Sequence, residues 1–507
     1  MAAYILAHDL GTTGNKATLY NDEGRLVASK FSAYKTDYPE VNWAEQDPHD
    51  WWKAVCDSTQ ALLASSQVHP REVKVVSFSG QMMGCLPVDK QGNPLRSSII
   101  WADQRSVKQA RQIEEKIGAE RFYRITGHRI SPTYSVEKVM WVKENQPEIY
   151  KATYKFLQAK DYIISRLVGR YVTDYSDATG TNLYDLTKYQ WSEEILDAAG
   201  VDPDKLPEVH SSFHVAGELS TAVAAEVGLE PGTPVVVGGG DGACATAGAG
   251  IFRAGSSYVY VGSSSWIASL SDKPFFDERQ RTSSWLSFDH TKYKIAGTMQ
   301  SAGGSYAWLR DNLCHQEVQA GKALGLSEYQ LMDLQAGRSR PGSNGLLFLP
   351  YLMGERSPHW NPNARACFVG LTQKHARSDM IRAVLEGVAL NLKIILDCFA
   401  HAVPIGDIRA IGGGAQEALW RQIMADVFNR RMLLPQFIHE ATSLGAAIAG
   451  GIGVGIFKDF DEVEKLNPTQ DIIAPHGPSV EVYAKIYPTF VKAYESLLEV
   501  FDELAEI

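Results

Sequence analysis

The chain starts one pattern twice. An apolar strand, Tyr4 to Ala7, runs into Gly11-Thr12-Thr13-Gly14-Asn15-Lys16-Ala17-Thr18-Leu19, and another, Tyr258 to Val261, runs into Gly262-Ser263-Ser264-Ser265-Trp266-Ile267-Ala268-Ser269-Leu270. Glycine, hydroxyl pair, alanine and leucine fall at matched places. A chain of 507 residues exceeds what one hydrophobic core supports, and 45% apolar content is ample for two. The expectation is two related lobes, residues 1–250 and 251–507, with a hinge near Gly248 to Gly255.

Both lobes alternate strand with helix. The first has an extended pair around the turn Asn21-Asp22-Glu23-Gly24, a helix from Trp51 to Leu63, a strand from Val73 to Phe78 and another helix at Val107, Ala110, Ile113 and Ile117. The second has a helix from Asp379 to Val403, a strand from Ile408 to Ile411, the loop Gly412-Gly413-Gly414-Ala415, a helix near Glu417 to Asn429 and a glycine-rich helix after Thr442. Such alternation means α/β layers.

Several function classes are disfavoured. A net charge of -10 without a basic cluster argues against nucleic acid as a partner. The longest apolar stretch, Leu444 to Phe457, is 14 residues and rich in glycine, short of the ~20 that span a bilayer, so no membrane association is expected. Met1-Ala2-Ala3-Tyr4 lacks the basic start of a signal peptide, which gives a cytoplasmic expectation. Cys56, Cys85, Cys244, Cys314, Cys367 and Cys398 form no Cys-x-x-Cys pair and read as reduced core residues.

Two carboxylates stand out. Asp241 sits in Gly238-Gly239-Gly240-Asp241-Gly242-Ala243-Cys244 behind the strand Val235 to Val237, where small neighbours leave it open to close approach by an alcohol. Asp9 precedes the first hydroxyl-rich turn, whose glycines let N–H groups face an anion while the acid holds a hydrated divalent cation. In the matched runs Asp9 falls opposite Tyr260, so a single metal site is expected. One acid for a cation and one for a proton suggests phosphoryl transfer. No Walker A or Gly-x-Gly-x-x-Gly pattern with a suitable acid occurs, so the nucleotide is bound in another way.

These features resemble the actin-like ATPase superfamily, and within it the FGGY family of carbohydrate kinases. The likeness runs through Ala366-Cys367-Phe368-Val369-Gly370-Leu371 and, after a spacer, Asp379-Met380-Ile381-Arg382-Ala383-Val384-Leu385-Glu386. A looser signature surrounds Lys138-Val139-Met140-Trp141-Val142, with Thr133 departing from it. Trp43 to Pro48, Lys160-Asp161-Tyr162, Asp174 to Thr181 and Gly354-Glu355-Arg356-Ser357-Pro358 resemble the xylulokinases of that family.

The resemblance implies two ribonuclease H-like lobes around a cleft, ATP and Mg²⁺ as cofactors, and a small sugar as substrate, D-xylulose foremost. Ribulose, erythritol and gluconate are the alternatives, and a non-catalytic sugar or nucleotide sensor is the rival class. It implies Asp241 as general base and Asp9 as the metal-binding acid. Gln81, Met82, Met83 and Gly242 fall at sugar positions. Gly11, Thr12, Thr13, Lys16, Ser263, Ser264, Gly303, Gly413, Gly414 and Ala415 fall at ATP positions. Trp101 and Asp103 resemble an element near the sugar, and the family suggests a homodimer. Met83 and Gly242 replace the polar His and Asn usual in xylulokinases, which weakens the case for xylulose.

Overall fold

The computed structural model describes residues 3–288, 290–463 and 465–507. Met1 and Ala2, part of the segment read as lacking a leader, lie outside these. Two seven-stranded sheets carry the architecture. The first contains β1 (Tyr4–Leu10), β2 (Gly14–Asn21), β3 (Leu26–Ala33), β4 (Val73–Gly80) and β5 (Pro234–Val236). The second contains β6 (Ser257–Val261), β7 (Ser265–Ser271), β8 (Tyr293–Met299), β9 (Ile408–Ile411) and β10 (Met432–Pro435). Strand order is β3-β2-β1-β4-β5 in one and β8-β7-β6-β9-β10 in the other, with the first three antiparallel and the last two joined in parallel. The repeat is therefore one of topology as well as of residues. The two hairpins differ by one residue, since Leu10 pairs with Asn15 but Val261 with Ser265.

Parallel strands need crossovers, and helices supply them. Helix α1 (Pro48–Ser66) links β3 to β4. Asp47 caps it by accepting from the His49 N–H, and Trp51, Val55 and Leu62 bury its inner face. Helix α2 (Asp241–Gly248) closes the first half, and α3 (Gly303–Leu313) follows β8. Helix α4 (Arg377–Phe399) and α5 (Ala418–Phe428) flank β9. The helix expected through Val403 stops at Phe399, with Ala400 as its C-cap, and Pro404 disfavours helical geometry at Val403.

The last core helix, α6 (Ala441–Gly453), leaves the second lobe. It packs on the first sheet, where Leu444, Ala446 and Ile448 join Ile5, Val75 and Val236 in one core. The second half of the chain thus completes the first lobe's core. Helices α2 and α6 cross at glycines: a Cβ on Gly248 would lie 1.7 Å from the Ala441 carbonyl oxygen, and one on Gly445 would lie 2.0 Å from that of Cys244. The strand Ser283–Leu286 also reaches the first lobe, where the Ser284 N–H donates to the Gly127 carbonyl. Among the described residues no helix is long and apolar enough to cross a membrane, and all six cysteines are free.

Candidate active site

The turn between β1 and β2 is braced on every side. The Gly11 N–H donates to the Gly14 carbonyl at 3.0 Å, and the Tyr34 hydroxyl donates to the Gly11 carbonyl. Gln46 Nε2 donates to the Thr12 carbonyl at 2.7 Å, and Trp101 Nε1 donates to the Thr12 hydroxyl at 2.9 Å. Thr13 is left exposed at the tip. Asp9, half-buried, pairs in register with Lys16 on β2 and Ser79 on β4. Burial pushes its carboxyl up to about 6, opposed by the Ser79 hydroxyl, reinforced by the charge of Asp241 and opposed by Lys16. Lys16 Nζ reaches the other half of the chain, 3.4 Å from the His439 carbonyl and 3.9 Å from Glu440 Oε1.

Asp241 is the first residue of α2, beside β4. Gly239 and Gly240 pair with Ser79 and Gly80 there, and Gly238 must be glycine, since its φ is +69° and a Cβ would meet the Phe78 carbonyl oxygen at 1.8 Å. The Gly240 N–H donates to Ser176 Oγ at 2.9 Å, and that hydroxyl donates to Asp174 Oδ2 at 2.6 Å. Asp174 belongs to a fully buried cluster with Asp161 and Asp177 around Lys160 Nζ, at 3.1, 2.7 and 3.0 Å respectively. The motifs Lys160-Asp161 and Asp174 to Asp177 therefore fix the floor beneath Asp241. Its carboxylate is open to the cleft but ringed by protein, which raises its pKa against the pull of Lys294 and the Gly242 N–H. The field of Asp241 at Asp9 makes the two acids electrostatic neighbours.

A cavity of about 200 Å³ opens above Asp241 and Gly242. Met82, Met83 and Trp101 line it from the first half, and Ser264, Trp266, Trp285, Lys294 and Arg356 from the second. Met83 has φ +62°, and the buried Lys138 Nζ holds it by donating to the Met83 carbonyl at 2.7 Å and the Thr133 carbonyl at 2.5 Å. Gln81, at an expected sugar position, lies beneath the turn. It is 5% exposed and absent from the cavity wall, because its Nε2 donates to Gln46 Oε1 at 2.7 Å and to the Gly11 carbonyl at 3.4 Å. It braces the turn. Asp103 likewise faces inward, accepting from Arg105 and the Ala44 N–H.

Lys294 and Arg356 went unrecognised in the sequence. Burial pushes the Lys294 ammonium down to about 8, opposed by Asp241, and burial also lowers Arg356, opposed by Glu355. Among the described residues no carboxylate lies within ion-pair distance of either, and Arg356 Nε is buried without a partner. Glu355 is turned away, accepting from the Gln300 and Arg356 N–H groups and from Asn391. An inward-facing lysine within the strand 293–299 was the only signal for Lys294, whereas Arg356 sat inside a quoted motif.

A second cavity, about 260 Å³, is lined by Gly262, Ser263, Gly303, Tyr306, Gly413, Gly414 and Glu417. Gly303 abuts the hairpin so closely that a Cβ would lie 2.5 Å from the Gly262 carbonyl oxygen. Ala415 is fully buried and lines neither cavity; its carbonyl instead accepts from Arg421. Ser263 faces this cavity and Ser264 the other, so the second hairpin stands between them. Among the described residues no cluster of three or more His, Cys, Asp or Glu could hold a metal alone. A Mg²⁺ that keeps its waters and takes one or two carboxylates plus phosphate oxygens fits that donor set, with Asp9 as the acid.

Residues 4–248 match the model of the N-terminal domain of the FGGY family of carbohydrate kinases, and residues 258–454 match that of its C-terminal domain. The chain belongs to the FGGY family of carbohydrate kinases. It is 34% identical to a gluconokinase of Bacillus licheniformis, covering 100% of this chain and 98% of the relative. It is 32% identical to a xylulose kinase of Bacillus subtilis (strain 168), covering 97% and 96%. The ligand-bound xylulose kinase structure from Lactobacillus acidophilus superimposes with a TM-score of 0.92 at 28% identity, over 99% of this chain and 100% of that one. As an FGGY kinase the protein phosphorylates a sugar, and use of ATP comes with the family.

Proposed function

We propose that this FGGY kinase transfers the terminal phosphoryl group of ATP to a terminal hydroxyl of an acyclic sugar acid, gluconate being the candidate. The observation that carries the choice is the charge of the substrate cavity. Two cations, Lys294 and Arg356, share it with one acid, Asp241, and neither is held in a direct ion pair among the described residues. Buried cations without a direct ion-pair partner are costly, and a substrate carboxylate would offset that cost where a neutral pentulose would not. Relatives named gluconokinase and xylulose kinase differ by too little in identity to decide alone. The cavity's charge favours the acid over the ketopentose that the sequence first suggested.

In this reading Asp241 orients the attacking hydroxyl and accepts its proton; its raised pKa brings it closer to the task. Thr12, Thr13, Lys16, Ser263 and Ser264 hold phosphate oxygens across the cleft, and Gly303, Gly413 and Gly414 give the nucleoside a flat backbone surface. Asp9 would hold Mg²⁺, whose chemistry is to neutralise charge on the phosphates. Trp101, Trp266 and Trp285 offer apolar faces that exclude water. The test is ADP release measured with gluconate, xylulose, ribulose and erythritol at neutral pH. Gluconate should give the highest kcat/KM; a higher value for xylulose overturns the acid reading, and no release with any sugar overturns the whole assignment.

A further inference from the structure

Gly242 follows the proposed base in helix α2, with no side chain of its own on the cavity wall. The space beside it is filled by another residue. A Cβ built on Gly242 would lie 2.5 Å from Lys294 Nζ, and the next nearest atom is the neighbouring Lys294 Cε at 4.0 Å. The ammonium therefore stands where a side chain at 242 would begin. It arrives there from β8, in the second lobe's sheet, and its stem passes Trp285, with Nζ 5.4 Å from that ring's centroid. No described carboxylate pairs with it within 4.0 Å, so its position is set by packing, by the longer-range charge of Asp241 and by the room that Gly242 leaves.

We propose that Gly242 is the specificity determinant of this site: by lacking a side chain it admits the Lys294 ammonium beside the base, and the ammonium there binds the substrate's carboxylate. The inference rests on the sugar-acid reading above and gives it a mechanism. Any residue larger than glycine at 242 displaces the cation, because a lysine tip is free to swing while the helix backbone is not. Position 242 thus acts on substrate choice through a residue of the other lobe.

The experiment compares wild type with Gly242→Ala, Lys294→Met and Lys294→Arg, measuring KM and kcat separately for gluconate and for D-xylulose. Alanine suits a helix at this position, so Gly242→Ala should fold, and its circular dichroism and melting curve check that. Gly242→Ala and Lys294→Met should each raise KM for gluconate on the order of 10- to 100-fold, the worth of a charged hydrogen bond, and lower the preference for gluconate over xylulose in kcat/KM by about tenfold or more. Lys294→Arg should recover part of the gluconate loss. Equal effects on both sugars, or a gluconate KM unmoved by Gly242→Ala, overturn the proposal. Wild type that turns over xylulose but not gluconate overturns the sugar-acid reading instead, which separates the two failures.

Discussion

Gly445→Ala should damage catalysis more than stability. The added methyl would lie 2.0 Å from the Cys244 carbonyl oxygen of the crossing helix α2, whereas an ordinary carbon–oxygen contact is about 3.4 Å. The helices must therefore part by roughly 1.4 Å, the difference between those two separations. Helix α2 begins at Asp241, three residues before Cys244, so the shift is passed to the proposed base. A misplacement of about 1 Å costs on the order of 10² in rate. Overpacking costs ~1–3 kcal/mol, and alanine's better helix propensity returns about 1 kcal/mol of it. The net loss of stability is then roughly 0–2 kcal/mol. The assay is kcat at saturating substrates beside the urea midpoint. A folded variant with kcat within about twofold of wild type would refute the reasoning that the helix crossing positions the base.

Other perturbations probe the same frame. Trp101→Phe keeps a ring in the sugar cavity but removes the N–H that the Thr12 hydroxyl accepts. A lost hydrogen bond of about 1 kcal/mol should raise KM for ATP about fivefold, and an unchanged value contradicts a bracing role. Because burial lifts the Asp9 carboxyl to about 6, it is ionised above that pH and protonated below it. The Mg²⁺ requirement should therefore climb as pH falls through 6, and Asp9→Asn should remove that dependence; a flat requirement from pH 5 to 7 in wild type counts against Asp9. Lys138→Met strands the Met83 and Thr133 carbonyls at a cost of about 1–3 kcal/mol. It should raise KM for the sugar with KM for ATP unmoved, and the reverse pattern would contradict its placement under Met83.

Much of this was legible because local patterns fix local elements. The glycine and hydroxyl runs after Tyr4–Ala7 and Tyr258–Val261 form the two hairpins, and the helix expected at Val107, Ala110, Ile113 and Ile117 spans Val107–Ile117. FGGY membership is legible for the same reason, since its motifs need only the residues in order. Long-range packing was not legible. Helix α6 follows the second lobe in sequence yet packs on Ile5 and Val75, a consequence of glycines whose importance appears only once the helices meet. The family resemblance puts Gln81 at a sugar position and Ala415 at an ATP position, but a sequence does not say which way an amide points or which residue of a loop turns inward. Lys294 escaped because a lone lysine in a strand ordinarily faces solvent, and its cavity is assembled from both halves of the chain.

The central claim is that Asp241 takes the substrate's proton while Asp9, its neighbour across β4 in the same lobe, serves the cation. Asp241→Asn, nearly isosteric, tests it in a single-turnover measurement with saturating ATP, Mg²⁺ and gluconate. The account predicts that phosphoryl transfer slows by about 10² to 10⁴ while calorimetric affinity for ATP stays within about threefold, since the base touches the hydroxyl and not the nucleotide. Transfer at the wild-type rate, or a collapse of ATP binding with it, would contradict that division of labour.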